Sequence, residues 1–404
     1  MSFSEWQNVT FGEVCETISE THKVKKGKLI FLNTGDIERG KILHKNYSLV
    51  EKMPGQAKKS IKKGDILFSE IRPANGRWAY VDFESEDFIV STKLMVIRAN
   101  EKINSRYLYH LLTSPEIVKK LQQLAEARSG TFPQITFSQL SNITFRLPPK
   151  ETQNSISSIL DSLVRKIELN TLINESLESI NRNLFKEFCI PKVPSQQDGW
   201  KNLKLGEIVE LKNGYAFKGK DFVEKGIPVI KIKNIKTGKV ILNTLSYVDR
   251  EVANRNQKYR INKFDLLITM SGNRIDGTPE TWVGKVGIFH KQGEFLLNQR
   301  NARLEFSNDI SRYFLLQYLS SEEIQYYYIA NATSSGGQAN ISPELINNTE
   351  IVIPPLSVMN KFHSLVEPNY ELIFSNTLEN EKFSELIEYL IPKLLGGELK
   401  IYNK

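Results

Sequence analysis

The chain is written twice, and that limits what it can fold into more than any other feature. Glu5-Trp6-Gln7-Asn8-Val9-Thr10-Phe11-Gly12-Glu13-Val14 returns as Gly199-Trp200-Lys201-Asn202-Leu203-Lys204-Leu205-Gly206-Glu207-Ile208. Further on, Ser105-Arg106-Tyr107 returns as Ser311-Arg312-Tyr313, and Leu147-Pro148-Pro149 as Ile353-Pro354-Pro355. The offset grows from 194 residues (Trp6 to Trp200) to 206 (Pro148 to Pro354), as loop insertions in the second copy would produce. A period this long is no solenoid repeat; it means two similar domains in tandem. A molecule duplicated in this way suits a target with two parts.

Each copy has a mixed part followed by a helical part. In the first copy Leu29-Ile30-Phe31-Leu32, Asp65-Ile66-Leu67-Phe68 and Phe88-Ile89-Val90 are short apolar runs bounded by turn-forming residues, and they predict strands. Pro228–Ile232, Asp265–Ile268 and Phe295–Leu297 are their counterparts. A helix is expected from Ser105 to about Leu124, and again from Ser311 to about Ala330. Glycine-bearing loops follow, and a last strand stops at each proline pair, because proline cannot continue a ladder.

Beyond each proline pair the period changes. Ile156, Leu160, Leu163, Ile167, Asn170, Asn174, Leu177, Asn181, Leu184 and Phe188 recur at spacings near three and four. Val366, Asn369, Ile373, Asn376, Asn380, Phe383, Leu386, Leu390 and Leu394 do the same in the second copy. This is the stripe of a coiled coil, about 35 residues or roughly 50 Å long at 1.5 Å per residue. Asn170, Asn174, Asn376 and Asn380 lie near the midpoints, where antiparallel helices would bring them face to face. Amides buried at a seam weaken it but fix its register. The expected boundaries are therefore 1–149, a first helix over 150–190, 191–355, and a second helix with a tail over 356–404. Antiparallel pairing would relate the two halves by a pseudo-two-fold axis, with the helices as spacer.

A search for catalytic chemistry comes back empty. No Gly-x-x-x-x-Gly-Lys-Ser/Thr loop is present. The proline pairs lack the polar and aromatic neighbours of an amino-methyltransferase motif. The five histidines are scattered without a metal-ligand spacing. Cys15 and Cys189 are too few for a disulfide framework, which predicts a reducing, cytoplasmic setting. No signal peptide and no apolar run of membrane-spanning length is read. Lys and Arg outnumber Asp and Glu by 54 to 46, a net charge of +8 that favours a polyanionic partner.

Donor-rich loops fall at matching places in the two copies. Arg72-Pro73-Ala74-Asn75-Gly76-Arg77 answers to Ser271-Gly272-Asn273-Arg274, and Ser129-Gly130-Thr131-Phe132-Pro133-Gln134 to Ser334-Ser335-Gly336-Gly337-Gln338. Ser91-Thr92-Lys93 lies opposite Asn298-Gln299-Arg300-Asn301. Arginine pairs with guanine and asparagine or glutamine with adenine in the major groove, while hydroxyls and amides suit phosphate. The candidate contacts in the first copy are Lys25, Lys26, Arg72, Asn75, Arg77, Lys93, Arg128, Ser129, Thr131 and Gln134. In the second they are Asn273, Arg274, Arg300, Asn301, Ser334, Ser335 and Gln338. Donors at corresponding places, with different residue types, are what two related domains reading different sequences require.

With these motifs assembled, the chain resembles the specificity subunits of type I restriction-modification systems over essentially its whole length. The carriers are the Trp6 and Trp200 openings with their Gly-Glu pairs, and Lys63-Gly64-Asp65-Ile66-Leu67-Phe68. The Gly130 and Gly336 loops, the two proline-pair motifs, and the ending Leu390-Ile391-Pro392-Lys393-Leu394-Leu395-Gly396-Gly397-Glu398-Leu399 complete them. The resemblance implies an α/β (α+β) fold of two tandem target-recognition domains separated by two long helices packed as an antiparallel coiled coil. Each domain would read one part of a bipartite, asymmetric site in double-stranded DNA, with the helix lengths setting the unread spacer. The helices would dock two methyltransferase subunits, and restriction subunits carrying the translocase and nuclease would join them. S-adenosylmethionine, ATP and magnesium are expected on those partners, and no cofactor, metal or catalysis on this chain. Two other classes compete. A self-sufficient restriction-methylation enzyme is opposed by the missing methyltransferase motifs, and a coiled-coil adaptor for proteins by the donor-rich loops. A silent specificity allele would leave the same sequence.

Overall fold

The computed structural model describes residues 6–23, 27–128, 131–191, 199–274, 278–335 and 337–399. It divides into two compact units, Met1–Asn170 with Glu379–Lys404, and Thr171–Leu378. The division falls in the middle of each long helix, so each unit contains a length of both.

In the first unit two four-stranded sheets carry the mixed part. One runs Cys15–Ile18, Leu94–Ala99, Ile66–Ser69, Trp78–Tyr80, all antiparallel. The other runs Tyr47–Leu49, Lys28–Leu32, Phe88–Ser91, Ala57–Ser60, with the central pair parallel. Side chains alternate across a strand, so one apolar run can line two cores. Ile66, Phe68, Met95 and Ile97 enter the core that holds the helices, whereas Leu67, Leu94 and Val96 enter the one beneath the second sheet. That explains why these strands read as continuous apolar runs rather than as an alternation. Gln7–Thr10 then pairs antiparallel with Thr144–Leu147, closing the copy on its own first strand just before Pro148.

The second unit repeats the plan with more strands. A six-stranded sheet includes Val209–Asn213, Asn301–Phe306, Leu266–Thr269 and Val286–Ile288, and a five-stranded one centres on Ile227–Ile230 beside Phe295–Leu297. Lys201–Lys204 pairs with Glu350–Ile353 as the closing ladder. In both copies a carboxylate in the turn before a core strand holds an arginine of the neighbouring strand. Asp65 accepts from Arg98 Nε and Nη2 at 2.7 and 2.8 Å and from the Lys62 amide at 2.7 Å. Asp265 takes the Asn262 amide at 2.7 Å and Arg303 Nη1 at 3.3 Å. Burial pushes the Asp265 carboxyl above the usual carboxylate range.

The single helix expected after Ser105 is two helices, Ser105–Leu112 and Pro115–Arg128. Pro115 disfavours helical backbone at Ser114 and suits a first helical position. The Ser114 hydroxyl meanwhile turns back to the Leu111 carbonyl at 2.7 Å. The second copy breaks at the same place, between Arg312–Leu319 and Glu322–Asn331, where Ser321 accepts from the Ile324 amide.

The long helices span Lys150–Cys189 and Leu356–Leu395. In the first unit Asn170 donates to Asn380 Oδ1 at 2.9 Å and to Glu379 at 2.7 Å, while Ile156 and Leu160 share a core with Leu390 and Leu394. In the second unit Asn376 donates to Asn174 at 2.9 Å and Asn369 to Asn181 at 2.7 Å. Seven residues forward on one helix matches seven back on the other, which is an antiparallel register. Leu177 and Leu184 pack against the core that contains Ile373, and Leu163, Ile167 and Phe383 are half-buried. Leu386 departs from the expected stripe: it is 40% exposed, and its neighbour Ile387 takes the half-buried place. Across so many turns the 3.6-residue helix drifts against a strict three-four alternation.

Asp65→Asn should cost about 2–4 kcal/mol in denaturant unfolding, because Arg98 loses the partner of a buried pair. Asp265→Asn should cost less, its carboxylate being 21% exposed against 1% for Asp65. At the seam, Asn170→Ala should cost about 1–3 kcal/mol by stranding Asn380, whereas Asn170→Leu with Asn380→Leu should restore or exceed the original stability. A double variant less stable than the single one would show that the amides contribute more than register.

Candidate nucleic-acid interface

Three separate segments meet at one junction in the first unit, and backbone hydrogen bonds hold them. The Glu70 amide donates to the Lys93 carbonyl at 3.2 Å, the Ile135 amide to the Glu70 carbonyl at 2.9 Å, and the Arg72 amide to the Pro133 carbonyl at 3.0 Å. The turn between two strands, the loop after Ile66–Ser69 and the loop around Phe132 are thereby tied together. The second unit builds the same junction from the Met270 amide on the Arg300 carbonyl at 2.7 Å and the Ile341 amide on the Met270 carbonyl at 3.0 Å. Ser271 and Gly272 pair there with Asn340 and Ala339. Lys93 is thus the equivalent of Arg300, Arg72 of Gly272, and Phe132 of Gln338.

The loops that sequence placed at matching positions do come together, but their side chains divide. Arg72, Asn75, Lys93 and Thr131 are exposed in the first unit, with Gln134 half-buried. Asn273, Arg300, Ser334 and Gln338 are exposed in the second. Three candidates turn inward instead. Arg77 donates to the Ile37 carbonyl at 3.1 Å and bonds Gly35, spanning a turn of its own domain. Arg274 donates to the Ala332 carbonyl at 2.5 Å and to the Ser334 hydroxyl at 3.0 Å, which fastens the Ser334 hairpin. Asn301 is fully buried and donates to the Asn298 carbonyl at 3.1 Å, shaping the turn that presents Arg300. Lys25, Lys26 and Ser129 lie outside the described residues. Arg128 ends its helix and Ser335 its strand, with their side chains outside the description.

Backbone conformation adds a residue that sequence reading missed. Among the described residues, Arg39, Arg72 and Arg300 are three of the four non-glycine residues with positive φ, at 44°, 43° and 64°, and all three are exposed. Left-handed backbone at such residues costs about 1–3 kcal/mol and clusters at functional sites. Arg39 donates its amide to the Gly76 carbonyl at 2.7 Å and lays its side chain over Gly76. Gly76 has φ +73°, and a Cβ there would sit 2.9 Å from Arg39 Cγ, so only glycine fits. Nothing in the local pattern around Arg39 signals this, since it depends on a turn nearly forty residues later. Lys59 turns inward: its Nζ donates to the Leu94 carbonyl at 2.7 Å, and burial pushes its ammonium below the usual range.

Neither cysteine is an activated thiol. Cys15 and Cys189 are buried, and burial pushes each thiol up to about 12. Among the described residues no group of His, Cys, Asp and Glu gathers as metal ligands, and no helix is long and apolar enough to cross a membrane. What the junction offers is cations, amides and one aromatic ring on a backbone fixed by its own hydrogen bonds.

Comparison with known proteins fits this arrangement. The family described as "Type I restriction modification DNA specificity domain" matches twice, over residues 3–179 and 197–363. The type I restriction enzyme HindI specificity subunit of Haemophilus influenzae is 30% identical, with 98% of this chain and all of that protein covered. The MjaIX specificity subunit of Methanocaldococcus jannaschii is 25% identical over 84% of this chain and 78% of its own. Among solved structures, the type I restriction-modification system S subunit from M. genitalium shares the fold with a TM-score of 0.60, at 16% identity and covering 98% of this chain and 97% of that one. Two copies of one domain, each ending in a long helix and each matched by the same family, make this chain a member of the type I restriction-modification specificity-subunit family.

Proposed function

We propose that this chain reads a bipartite, asymmetric site in double-stranded DNA on behalf of a type I restriction-modification complex, one recognition domain to each part. The observation that carries the reading is the duplicated junction. Its backbone bonds are the same in both copies, whereas the exposed residues differ: Arg72, Lys93 and Phe132 in one, Asn273, Arg300 and Gln338 in the other. A fixed scaffold with exchanged tips is how two related domains read two sequences. Arg72, Lys93 and Arg300 can meet phosphates or guanine, and Asn273 and Gln338 can pair with adenine.

The chain itself works in the cytoplasm as the non-catalytic member. S-adenosylmethionine, ATP and magnesium belong to its partners, two methyltransferase subunits and the restriction subunits. The long helices support this. Outside the seam they keep a second row of exposed apolar side chains, Ile159, Ile173 and Ile180 on the first helix and Leu365, Leu372 and Leu386 on the second. Within each helix these are spaced by seven residues or fourteen, a heptad frame suited to a further helix. One such row on each helix provides for two partners of the same kind.

Methylation mapping of a genome in cells expressing this chain with its neighbouring methyltransferase gene, against cells lacking the chain, tests the reading. A new bipartite asymmetric motif is expected, and exchanging residues 1–149 for those of a relative should change one half of it only. A stable complex that leaves no mark would identify a silent allele, and no complex at all an unrelated adaptor. Ile173→Glu with Leu372→Glu should weaken the complex with the methyltransferase by about tenfold or more, as losing central apolar anchors does. Both residues are exposed, so the melting temperature of the free chain should hold. Undiminished assembly would remove the helices from the interface.

A further inference from the structure

One hairpin of the first unit turns on an arginine, and its counterpart in the second unit does not. Ile37–Glu38 pairs with Lys41–Ile42, so Arg39 and Gly40 alone make the turn, and both have positive φ, at 44° and 91°. Left-handed backbone at both central residues is the type I′ turn, whose first place favours Asn, Asp or Gly. An arginine there is held at a cost, and it persists only where its surroundings over-determine it. In the second unit Ile235 and Lys236 pair with Val240 and Lys239 around Thr237 and Gly238, and of those two only the glycine is left-handed. The hairpins are equivalent. Each follows a short helical turn, Thr34–Asp36 or Ile232–Asn234, whose last carbonyl takes an amide from beyond the hairpin, Leu43 at 2.9 Å or Ile241 at 2.7 Å. The fold therefore makes this turn without a strained arginine in one copy and keeps one in the other.

The surroundings of Arg39 fix where its side chain starts. Its amide donates to the Gly76 carbonyl at 2.7 Å, the Gly40 amide donates to the Trp78 carbonyl at 2.9 Å, and its stem lies against buried Gly76. Gly76 closes the turn that Arg72 begins, and the Ala74 amide ties that turn to Gln122 Oε1 of the helix Pro115–Arg128 at 3.0 Å. Arg39 is exposed beyond this seat, and so are Arg72 and Asn75 of the turn it lies against. The adjacent carboxylate, Glu38, lies 4.0 Å from Arg77 Nη1. A phosphate needs no such aiming, since its charge attracts any flexible cation. Bidentate pairing with guanine O6 and N7 does need it, because two N–H groups of a planar fork must meet two acceptors at once.

We infer that Arg39 is a specificity-determining residue of the first recognition domain and that it reads a guanine through O6 and N7 in the major groove. The inference rests on the DNA-reading function proposed above and adds to it a residue, a base and the chemistry that joins them. Thr237 has no fork to aim, so this contact belongs to the first half of the site only.

The test uses the full chain with its methyltransferase subunits and the duplex site that mapping defines. Guanines of the first domain's half-site are replaced one at a time by 7-deazaguanine, which removes the N7 acceptor and leaves base pairing intact. One replacement should weaken binding of the unaltered complex about tenfold, the scale of one hydrogen bond from a charged donor, and leave an Arg39→Ala complex indifferent. Arg39→Ala and Arg39→Asn should each lose the guanine preference at that one position of the methylation map and keep every other position. Arg39→Asn should also raise the melting temperature of the free chain by roughly 2–4 °C, because asparagine suits the turn. A stabilised variant that no longer selects the base separates reading from support of the turn. A first half-site without guanine on either strand, an Arg39→Asn map as strict as the original, or indifference of the unaltered complex to every replacement would overturn the inference. A fall in melting temperature for Arg39→Asn would overturn it too, by making the arginine a strut of its hairpin. So would an Arg39→Ala complex that binds every sequence more weakly by the same factor with a shallower salt dependence, since the arginine would then hold phosphate. A chain that directs no bipartite mark overturns the functional reading and this inference together, whereas the other failures leave the functional reading standing.

Discussion

Amides facing one another along an otherwise apolar seam constrain the rest of this molecule. A leucine seam tolerates sliding, because one methyl contact is much like the next. Asn170 against Asn380, Asn174 against Asn376 and Asn181 against Asn369 do not, since a shifted amide is left without its partner in a place that water reaches poorly. The consequence runs beyond the helices. Leu394, close to the end of the described chain, closes the first copy's core beside Ile156 and Leu160. Phe185 and Cys189, from the helix that ends the first copy, sit in the second copy's core with Phe314 and Phe362. Neither core is complete on its own repeat, so the register of the seam sets which side chains finish each domain.

Within a domain, the division of labour is between backbone and side chain. The junction that presents the candidate contacts is held by main-chain bonds, Glu70 with Lys93 and Ile135 in one copy and Met270 with Arg300 and Ile341 in the other. Bonds of this sort do not depend on residue type. Glutamate and methionine can therefore stand at the same node, and phenylalanine and glutamine at the same tip, without disturbing the scaffold. Where a side chain is used to hold the loops, its donors are spent within the fold. Arg274 fastens the Ser334 hairpin in the second copy, whereas in the first Arg72 grips its loop partly through its own backbone and stays exposed.

The duplication, the core strands and the seam asparagines were legible in the sequence because each rests on a local pattern: a repeated motif, an apolar run, a three-four spacing. The break between Leu112 and Pro115 was also written there, as a serine before a proline, but the apolar period runs through it and hides it. Leu386 and Ile387 are equally apolar neighbours, and which of them turns to the seam depends on how far the helix has drifted over many turns. The candidate site was legible as loops that meet and not as side chains. Arg77, Arg274 and Asn301 look like free donors in the chain, yet each bonds a carbonyl that only the folded loops bring near. Arg39 escaped for the converse reason, since its positive φ and its seat over Gly76 come from a distant segment.

The same distinction governs how affinity and selectivity combine. A net charge of +8 attracts any nucleic acid, and lysine contacts to phosphate weaken alike on every sequence as salt rises. Selectivity has to come from groups that lose something when the base is wrong. An amide does so by being left with unpaired polar atoms, and the penalty is large because those atoms are desolvated on binding. An apolar side chain does so by staying in water, and the penalty scales with the small apolar area of one methyl group. Two domains of one ancestry that differ in the kind of group they present would read with unequal stringency even on an identical scaffold.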